Sequence, residues 1–247
     1  MRWKRLIAVF AVFGHCAIVY GGESSELMDP AEQYELGWAL VKGEYVDQNY
    51  VEGVKWLRRA AEQGHAYAQY NLGVIYSTGQ GVPQNDAEAA KWYSLAAAQG
   101  VADAQYNFGA MYITGDGVPK NNVEAVKWFR LAAEQDHAKG QYTLGAMYAM
   151  GEGVPQNDVE AFRWYRLAAE QGIDEAQYKL GVMYGNGEGV PQDHMEAYFW
   201  FSLAAATGAT SSGNARKYRD IAREQLAPNQ VAEVQARTAK WKPKGEK

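Results

Sequence analysis

A fixed period of 36 residues runs through most of this chain. Tryptophan, glycine, tyrosine and proline all recur with that step, and no insertion interrupts five consecutive copies. Self-similarity at a period of about 20 to 50 residues is the signature of repeat architectures such as solenoids and propellers. The recurring positions are Trp56, Trp92, Trp128, Trp164 and Trp200; Gly37, Gly73, Gly109, Gly145 and Gly181; Tyr34, Tyr70, Tyr106, Tyr142 and Tyr178; and Pro83, Pro119, Pro155 and Pro191. The sequence therefore predicts a repeat protein.

Each copy contains two helical patterns separated by a group of helix-breaking residues. In the second copy, apolar residues at every fourth position predict a first helix over 66–78, which Gly79 ends. The glycines and proline of 79–83 then interrupt the helical pattern. A second amphipathic helix then follows Asn85 and ends at Gly100.

The second helix of every copy has a strong start signal. An Asn or Asp stands at the expected N-cap, and a Glu follows three residues later, which is the sequence of a capping box. The five pairs are Asn49/Glu52, Asn85/Glu88, Asn121/Glu124, Asn157/Glu160 and Asp193/Glu196.

Each first helix has a glycine near its middle, although glycine there costs about 1 kcal/mol relative to alanine. The recurrence of Gly73 and its equivalents therefore indicates close contact between helices. We expect the partners to be Ala96 and Ala97 of the second helix, with the tryptophan filling the neighbouring gap.

One such unit cannot bury its apolar face alone, so successive units should stack. The expected fold is an all-α, right-handed superhelical solenoid of five helix-loop-helix repeats of 36 residues. The predicted repeat boundaries are 29–64, 65–100, 101–136, 137–172 and 173–208. Residues 209–247 are predicted to supply a C-terminal cap of two helices, over 214–226 and 228–241, and a basic tail.

The unit A-x-A-Q-Y-x-L-G-x-x-Y-x-x-G-x-G-V-P-x-(N/D)-x-x-E-A-x-x-W-(Y/F)-x-x-A-A-x-x-G resembles the Sel1-like repeat, a relative of the tetratricopeptide repeat. The resemblance covers residues 29–208. The first copy departs from the pattern at Glu32 and Asp47, as terminal repeats often do. The resemblance implies a scaffold whose first helices line a concave side, where peptides or partner proteins dock.

Residues 1–22 have the sequence pattern of a signal peptide. Arg2, Lys4 and Arg5 precede an apolar stretch that reaches about Tyr20, and small residues follow it. The stretch is short for a membrane span, which needs about 20 apolar residues. We therefore expect a bacterial protein that is exported to the periplasm or secreted and is free of the membrane after cleavage. An uncleaved anchor in the inner membrane is the alternative.

Charge and cysteine content exclude some classes of function. The net charge of −5 disfavours a nucleic-acid partner. Without its leader the chain has 21 Lys and Arg against 29 Asp and Glu, and the cations concentrate after residue 215. Cys16 is the single cysteine, so no intramolecular disulfide or cysteine-based metal cage can form.

No residue pattern predicts catalysis or a cofactor. His65 and His137 share one column of the repeat and are expected at helix starts rather than in a metal site. Some cysteine-rich relatives have been linked to penicillin-related activity, but this chain lacks both those cysteines and any Ser-x-x-Lys sequence. We expect a non-enzyme. A cell-wall hydrolase of the penicillin-binding or β-lactamase type and a purely structural envelope protein remain as alternatives.

Four columns of the first helix vary between copies, whereas the columns around them hardly change. In the second copy they are positions 67, 71, 74 and 78, which share one helix face. We therefore expect a monomer that binds a protein or peptide partner there. The predicted contact residues are Trp38, Tyr67, Asn71, Asn107, Lys139, Met150 and Lys179.

Overall fold

The computed structural model describes residues 28–206 and 212–244, and these residues form twelve α-helices and no β-strand. The leader predicted over residues 1–22 lies outside them. The helices are α1 (Pro30–Lys42), α2 (Tyr50–Glu62), α3 (Ala66–Thr78), α4 (Asp86–Ala98), α5 (Ala102–Thr114), α6 (Asn122–Glu134), α7 (Ala138–Met150), α8 (Asp158–Glu170), α9 (Asp174–Asn186), α10 (His194–Ala206), α11 (Ser212–Glu224) and α12 (Pro228–Lys240).

The chain divides into two compact units after Lys120. The N-terminal unit contains α1 to α5, and the C-terminal unit contains α6 to α12. Within each unit, successive helices pack against each other, as α1 does on α2 and α7 on α8. The all-helical repeat of paired helices predicted from the sequence is confirmed, and α3 has the predicted bounds.

Glycines end the first helices as the sequence predicts. The residue after each helix adopts a left-handed conformation that glycine reaches without strain, and its N–H caps a helix carbonyl in every case. These residues are Gly43, Gly79, Gly115, Gly151 and Gly187. After the second helices, Gly64, Gly100 and Gly172 are left-handed, and Asp136 takes their place after α6 with φ 60°, a conformation that aspartate tolerates better than most residues.

The second glycine of each loop lies against the backbone of the preceding copy. A Cβ atom on Gly117 would lie 2.1 Å from the carbonyl oxygen of Asp86, and one on Gly153 would lie 2.3 Å from that of Asn122. Both glycines also have positive φ. The loop can therefore pack on the start of the preceding second helix only when this residue has no side chain.

The predicted capping boxes are half right. In all five copies the Asn or Asp side chain accepts a hydrogen bond from the backbone N–H of the Glu, at 3.1 to 3.2 Å. The second bond of a capping box, from the N-cap backbone N–H to the Glu side chain, does not form because that N–H donates to a backbone carbonyl instead. The N–H of Asn85 donates to the carbonyl of Tyr76 at 2.9 Å, and Asn157 does the same to Tyr148 at 3.0 Å. Three of the freed glutamates, Glu52, Glu124 and Glu160, pair with a cation three residues on, and the distance from Glu52 to Lys55 is 3.0 Å. Glu196 pairs with Arg237 instead.

The mid-helix glycines have a different partner from the one expected. A Cβ on Gly73 would lie 2.5 Å from the ring of Tyr93, and one on Gly145 would lie 2.9 Å from the ring of Tyr165. The aromatic residue that follows the repeat tryptophan thus covers the glycine, whereas Ala96 and Ala97 were predicted to do so. The prediction of close helix contact is correct, but the group that requires the glycine in these copies is a ring. In the first copy a Cβ on Gly37 would lie 2.8 Å from the backbone nitrogen of Leu57.

Four of the five repeat tryptophans are buried, namely Trp56, Trp92, Trp164 and Trp200. Trp128 is only half-buried. The expectation that every tryptophan fills a closed gap is therefore wrong for the third copy.

Buried glutamines connect neighbouring copies. Gln69 donates through Nε2 to the carbonyl of Ala61 at 3.0 Å, and its Oε1 accepts from Gln99 at 2.7 Å. One side chain thus links α2, α3 and the end of α4. In the C-terminal unit, Gln141 makes the same two bonds, to the carbonyl of Ala133 and from Gln171. Each amide adds a second donor to a carbonyl in the last turn of a helix, which also accepts a backbone N–H, from Gly64 at Ala61 and from Asp136 at Ala133.

The two predicted C-terminal helices are present as α11 and α12, and both pack on α10. Val234 of α12 is buried, and Arg237 reaches the carboxylate of Glu196. The chain then returns to α8, where the N–H of Lys244 donates to the carbonyl of Glu170 at 2.7 Å. These helices form the C-terminal cap of the repeat array.

Candidate binding surface

The exposed face of the first helices has two parts, one in each unit. In the N-terminal unit it contains Trp38 of α1, Tyr67 and Asn71 of α3, and Asn107 of α5. Tyr67 is 57% exposed, although it is a large aromatic residue. Trp38 is half-buried, and the Lys42 ammonium lies 4.8 Å from its ring centre. We call this set the N-terminal surface.

Asn71 differs from the expected free side chain because it is buried. Its Nδ2 atom donates to the hydroxyl of Tyr34 at 3.4 Å. Burial raises the pKa of Tyr34 above its ordinary value, and this hydrogen bond partly offsets the rise. Asn71 thus belongs to the floor of the N-terminal surface, where it holds the tyrosine of the preceding copy.

Asn107 repeats this arrangement one copy later and is half-buried. Burial raises the pKa values of Tyr70 and Tyr93, and side-chain hydrogen bonds with Asn107 lower them in part. The hydroxyl of Tyr93 also lies 3.3 Å from Oγ of Ser77. Tyrosine hydroxyls therefore lie near asparagine amides in neighbouring copies of the N-terminal unit.

In the C-terminal unit the same columns are more open. Lys139 and Met150 of α7 and Lys179 of α9 are all exposed, and the exposed fraction of Met150 is 60%. Behind them, the rings of Tyr142 and Tyr165 lie 5.7 Å apart. We call Lys139, Met150 and Lys179 the C-terminal surface. It offers two cations and a flexible thioether, whereas the N-terminal surface is aromatic and amide-rich.

The histidines that could suggest chemistry have structural roles. Nδ1 of His65 accepts from the N–H of Ala68 at 3.2 Å, and Nδ1 of His137 accepts from Gly140 at 2.9 Å. Both are helix N-caps, as their position in the repeat predicts. Among the described residues, no three His, Cys, Asp or Glu side chains are close enough to hold a metal ion.

No helix in the described part of the chain is long and apolar enough to cross a bilayer. The sequence prediction of a leader or anchor concerns residues 1–22, which lie outside that part.

Sequence reasoning assigned α11 only to the cap and missed its exposed apolar residues. Tyr218 and Ile221 are exposed, whereas Ala215 and Ala222 of the same helix are buried. The signal was present in the sequence, because these four positions are spaced as in an amphipathic helix. It was obscured because the repeat signature ends before α11.

Comparisons with known proteins identify the repeat. The family described as Sel1 repeat matches residues 33–65, 66–101, 102–137, 138–173 and 174–208. A protective antigen of uropathogenic Escherichia coli with an SLR fold is 34% identical, with a TM-score of 0.72 over 89% of this chain. That match covers 52% of the antigen, so the chain spans about half the antigen's length.

A Sel1 repeat protein from Oxalobacter formigenes is 30% identical to the chain. The TM-score is 0.73, and the match covers 92% of this chain and 100% of that protein. A search of the curated proteins gives no match.

Proposed function

Because the chain belongs to the Sel1 repeat family, whose members generally act as scaffolds for protein interactions, we propose that it binds a peptide or partner protein through the face of its first helices. The proposed role is non-enzymatic. We place it in the cell envelope or the secreted space, on the basis of the leader pattern in residues 1–22.

The observation that carries this proposal is the exposure of large side chains at columns that the repeat leaves variable. Tyr67 and Met150 are 57% and 60% exposed in equivalent faces of α3 and α7. Tyrosine is enriched among residues that dominate binding energy, and methionine adapts to irregular partner surfaces. An exposed side chain of this size is a suitable anchor for a partner.

A hydrogen bond in the N-terminal surface supports the proposal in a second way. Buried Asn71 bonds to the hydroxyl of Tyr34 in the preceding copy, so this part of the surface is ordered before a partner arrives. Preorganised groups lose less conformational entropy on binding than mobile ones. We therefore expect the N-terminal surface to bind a partner with little rearrangement.

Selection from a displayed library of random peptides tests the proposal while the natural partner is unidentified. The protein purified from the exported fraction is the target, and the peptides recovered are measured by calorimetry. Tyr67→Ala and Met150→Ala should each weaken the peptides that use their surface. We expect a loss of at least tenfold, because a hot spot is worth about 2 kcal/mol or more.

Matched controls come from the second helices. Val51 is 59% exposed and Val159 is 62% exposed, close to the values for Tyr67 and Met150. Val51→Ala and Val159→Ala should leave affinity unchanged. Loss of affinity in these variants alone would move the site to the second helices and overturn the proposed face.

A further inference from the structure

A groove of about 470 Å³ lies between α9, α10 and α11 in the C-terminal unit. Its size is in the range typical of ligand sites. Most of its lining is aromatic or aliphatic. The principal lining residues are Tyr178 and Val182 of α9, Ala197 and Phe201 of α10, and Tyr218 and Ile221 of α11.

The groove is open partly because Gly185 has no side chain. A Cβ atom built on Gly185 would meet only the Cβ of Ala197, at 3.9 Å. The same column holds a side chain in every other copy, so the opening is specific to the last repeat. The equivalent residues are Val41, Ser77, Ile113 and Ala149.

Three rings build the apolar part of the groove. The ring of Tyr218 stacks on Phe201 with centroids 5.7 Å apart and an interplanar angle of 21°. Tyr178 lies 5.8 Å from Phe201. Tyr218 and Ile221 nevertheless remain exposed, so apolar area is still available for burial. Such a groove suits one large aliphatic or aromatic side chain of a ligand.

Polar groups at the edge of the groove suit a peptide main chain. His194 and Gln225 line it, and neither side chain has a hydrogen-bond partner within the described residues. Asn186 also lines it and uses its Nδ2 atom on Glu188, at 2.8 Å. Its carbonyl oxygen can therefore still accept a bond. These groups offer both donors and acceptors, as a peptide backbone requires.

The charge around the groove favours an acidic ligand. Residues 212–244 contain eight Lys and Arg against three Asp and Glu, and α11 alone has four cations against two acids. Lys217 is exposed and precedes Ile221 by one helical turn. Lys179 is exposed beside Tyr178 and three residues before Val182. One exposed cation thus lies on each of the two helices, α9 and α11, that supply the groove's tyrosines.

We propose that this groove binds an acidic peptide segment, with one large apolar side chain packed against Tyr218, Ile221 and Val182 and flanking carboxylates facing Lys179 and Lys217. The inference rests on the proposed function and names a partner class for one part of it. The acidic segment is chosen over a second copy of this chain because α11, with four Lys and Arg against two Asp and Glu, carries a net positive charge that complements it.

A defined probe tests the inference. The ligand is a capped synthetic peptide with one leucine flanked on both sides by aspartates and glutamates, and its affinity for the full exported protein is measured by calorimetry. Peptides with alanine in place of the leucine, or lysines in place of the acids, are the comparisons. Both replacements should weaken binding at least tenfold.

The matched variants are Gly185→Val, which fills the groove, and Ala149→Val, which makes the same kind of change in the preceding copy. Gly185→Val should reduce affinity for the leucine peptide at least tenfold, and Ala149→Val should leave it unchanged. Circular dichroism verifies that both variants remain folded. Equal affinities of the two variants would overturn the inference.

The result can be separated from that of the proposed function. If the acidic peptide does not bind but library peptides still depend on Tyr67 or Met150, the groove assignment is wrong and the proposed function stands. If a basic peptide or a second copy of the chain occupies the groove instead, the acidic partner class is wrong. Sedimentation at several protein concentrations detects the second copy.

Discussion

The guanidinium carbon of Arg237 lies 3.7 Å from the ring centre of Phe199. The same side chain bonds to both carboxylate oxygens of Glu196. Arg237 thereby fixes α12, which lies beyond the repeats, to α10, the second helix of the last repeat. It does so through a cation–π contact and an ion pair.

Arg237→Ala should loosen α12 without unfolding the repeats. The cation–π contact is worth about 0.5–1 kcal/mol at an exposed site, and the ion pair adds about the same or less. We expect faster amide hydrogen exchange over residues 228–240 and no change over 66–78. Lys240→Ala, an exposed change in the same helix, is the control. If amide hydrogen exchange in α12 did not change, the burial of Val234 and the contact of the following residues with α8 would be sufficient to keep α12 in place.

Two glycines of the C-terminal unit should respond oppositely to the same substitution. Gly145→Ala would place a Cβ 2.9 Å from the ring of Tyr165, and overpacking of this sort costs about 1–3 kcal/mol. Gly185→Ala would place a Cβ at an ordinary contact distance of 3.9 Å from the Cβ of Ala197 and should stabilise by up to about 1 kcal/mol, because alanine favours helix. Urea unfolding followed by circular dichroism measures both. Equal midpoints would refute the ring contact as the reason for the recurring glycine.

Two buried glutamines in equivalent columns should differ in their contribution to stability. Gln141 bonds to the carbonyl of Ala133 at 3.1 Å and accepts from Gln171 at 2.8 Å. Gln177 bonds to the carbonyl of Ala169 at 3.3 Å, and its Oε1 has no hydrogen-bond partner among the described residues. Gln141→Leu removes three hydrogen bonds, one of them from Nε2 to Asp136 at 3.3 Å, whereas Gln177→Leu removes one, and each bond contributes about 0.5–1.5 kcal/mol.

The free energy of unfolding of the two glutamine variants should therefore differ, with Gln141→Leu the less stable. Chemical denaturation of both proteins under the same conditions gives the comparison. A larger loss for Gln177→Leu would mean that its single hydrogen bond outweighs the whole arrangement around Gln141.

Acid should weaken the start of α3. Burial lowers the pKa of His65 below the ordinary histidine value, although Glu35 and Asp29 partly oppose this. At a pH between the ordinary pKa and the lowered pKa of the folded state, the unfolded chain binds more protons than the folded chain. The stability that neutral His65 contributes is therefore complete above the ordinary histidine pKa. It is lost as the pH falls through the lowered pKa of the folded state. Protonation also removes the Nδ1 acceptor that caps Ala68.

His65→Asn keeps a capping oxygen but cannot titrate near neutrality. Thermal unfolding of wild type and variant at about pH 8 and pH 5 isolates the effect. The wild type should lose more stability between the two conditions than the variant does. Parallel losses would exclude His65 as the titrating group.

The period of the sequence was sufficient to predict the helices, their glycine stops and the N-cap side chains, because each depends on residues close together in the chain. The partner of Gly73 was predicted wrongly because ring orientation depends on packing between helices. The burial of Asn71 was missed for the same reason, since its partner Tyr34 belongs to another copy.

Where α12 packs on α10, one column of the second helices has a different type of residue from the other copies. Phe199 is buried under α12, whereas the equivalent position is exposed and cationic in the other copies. Those residues are Lys55, Lys91, Lys127 and Arg163. The replacement of a cation by an aromatic residue indicated that something covers this helix, but only the structure identifies α12.

The glutamine bridges also bear on how such a chain can change in length. Within each unit, the bridge from Gln69 to α2 and α4 has the same chemistry as the bridge from Gln141 to α6 and α8. A module of 36 residues could therefore be duplicated or deleted and still meet a matching amide at each new junction. An insertion or deletion of part of a module would bring a glutamine opposite the wrong carbonyl. This hydrogen bonding therefore favours changes in chain length by whole 36-residue modules.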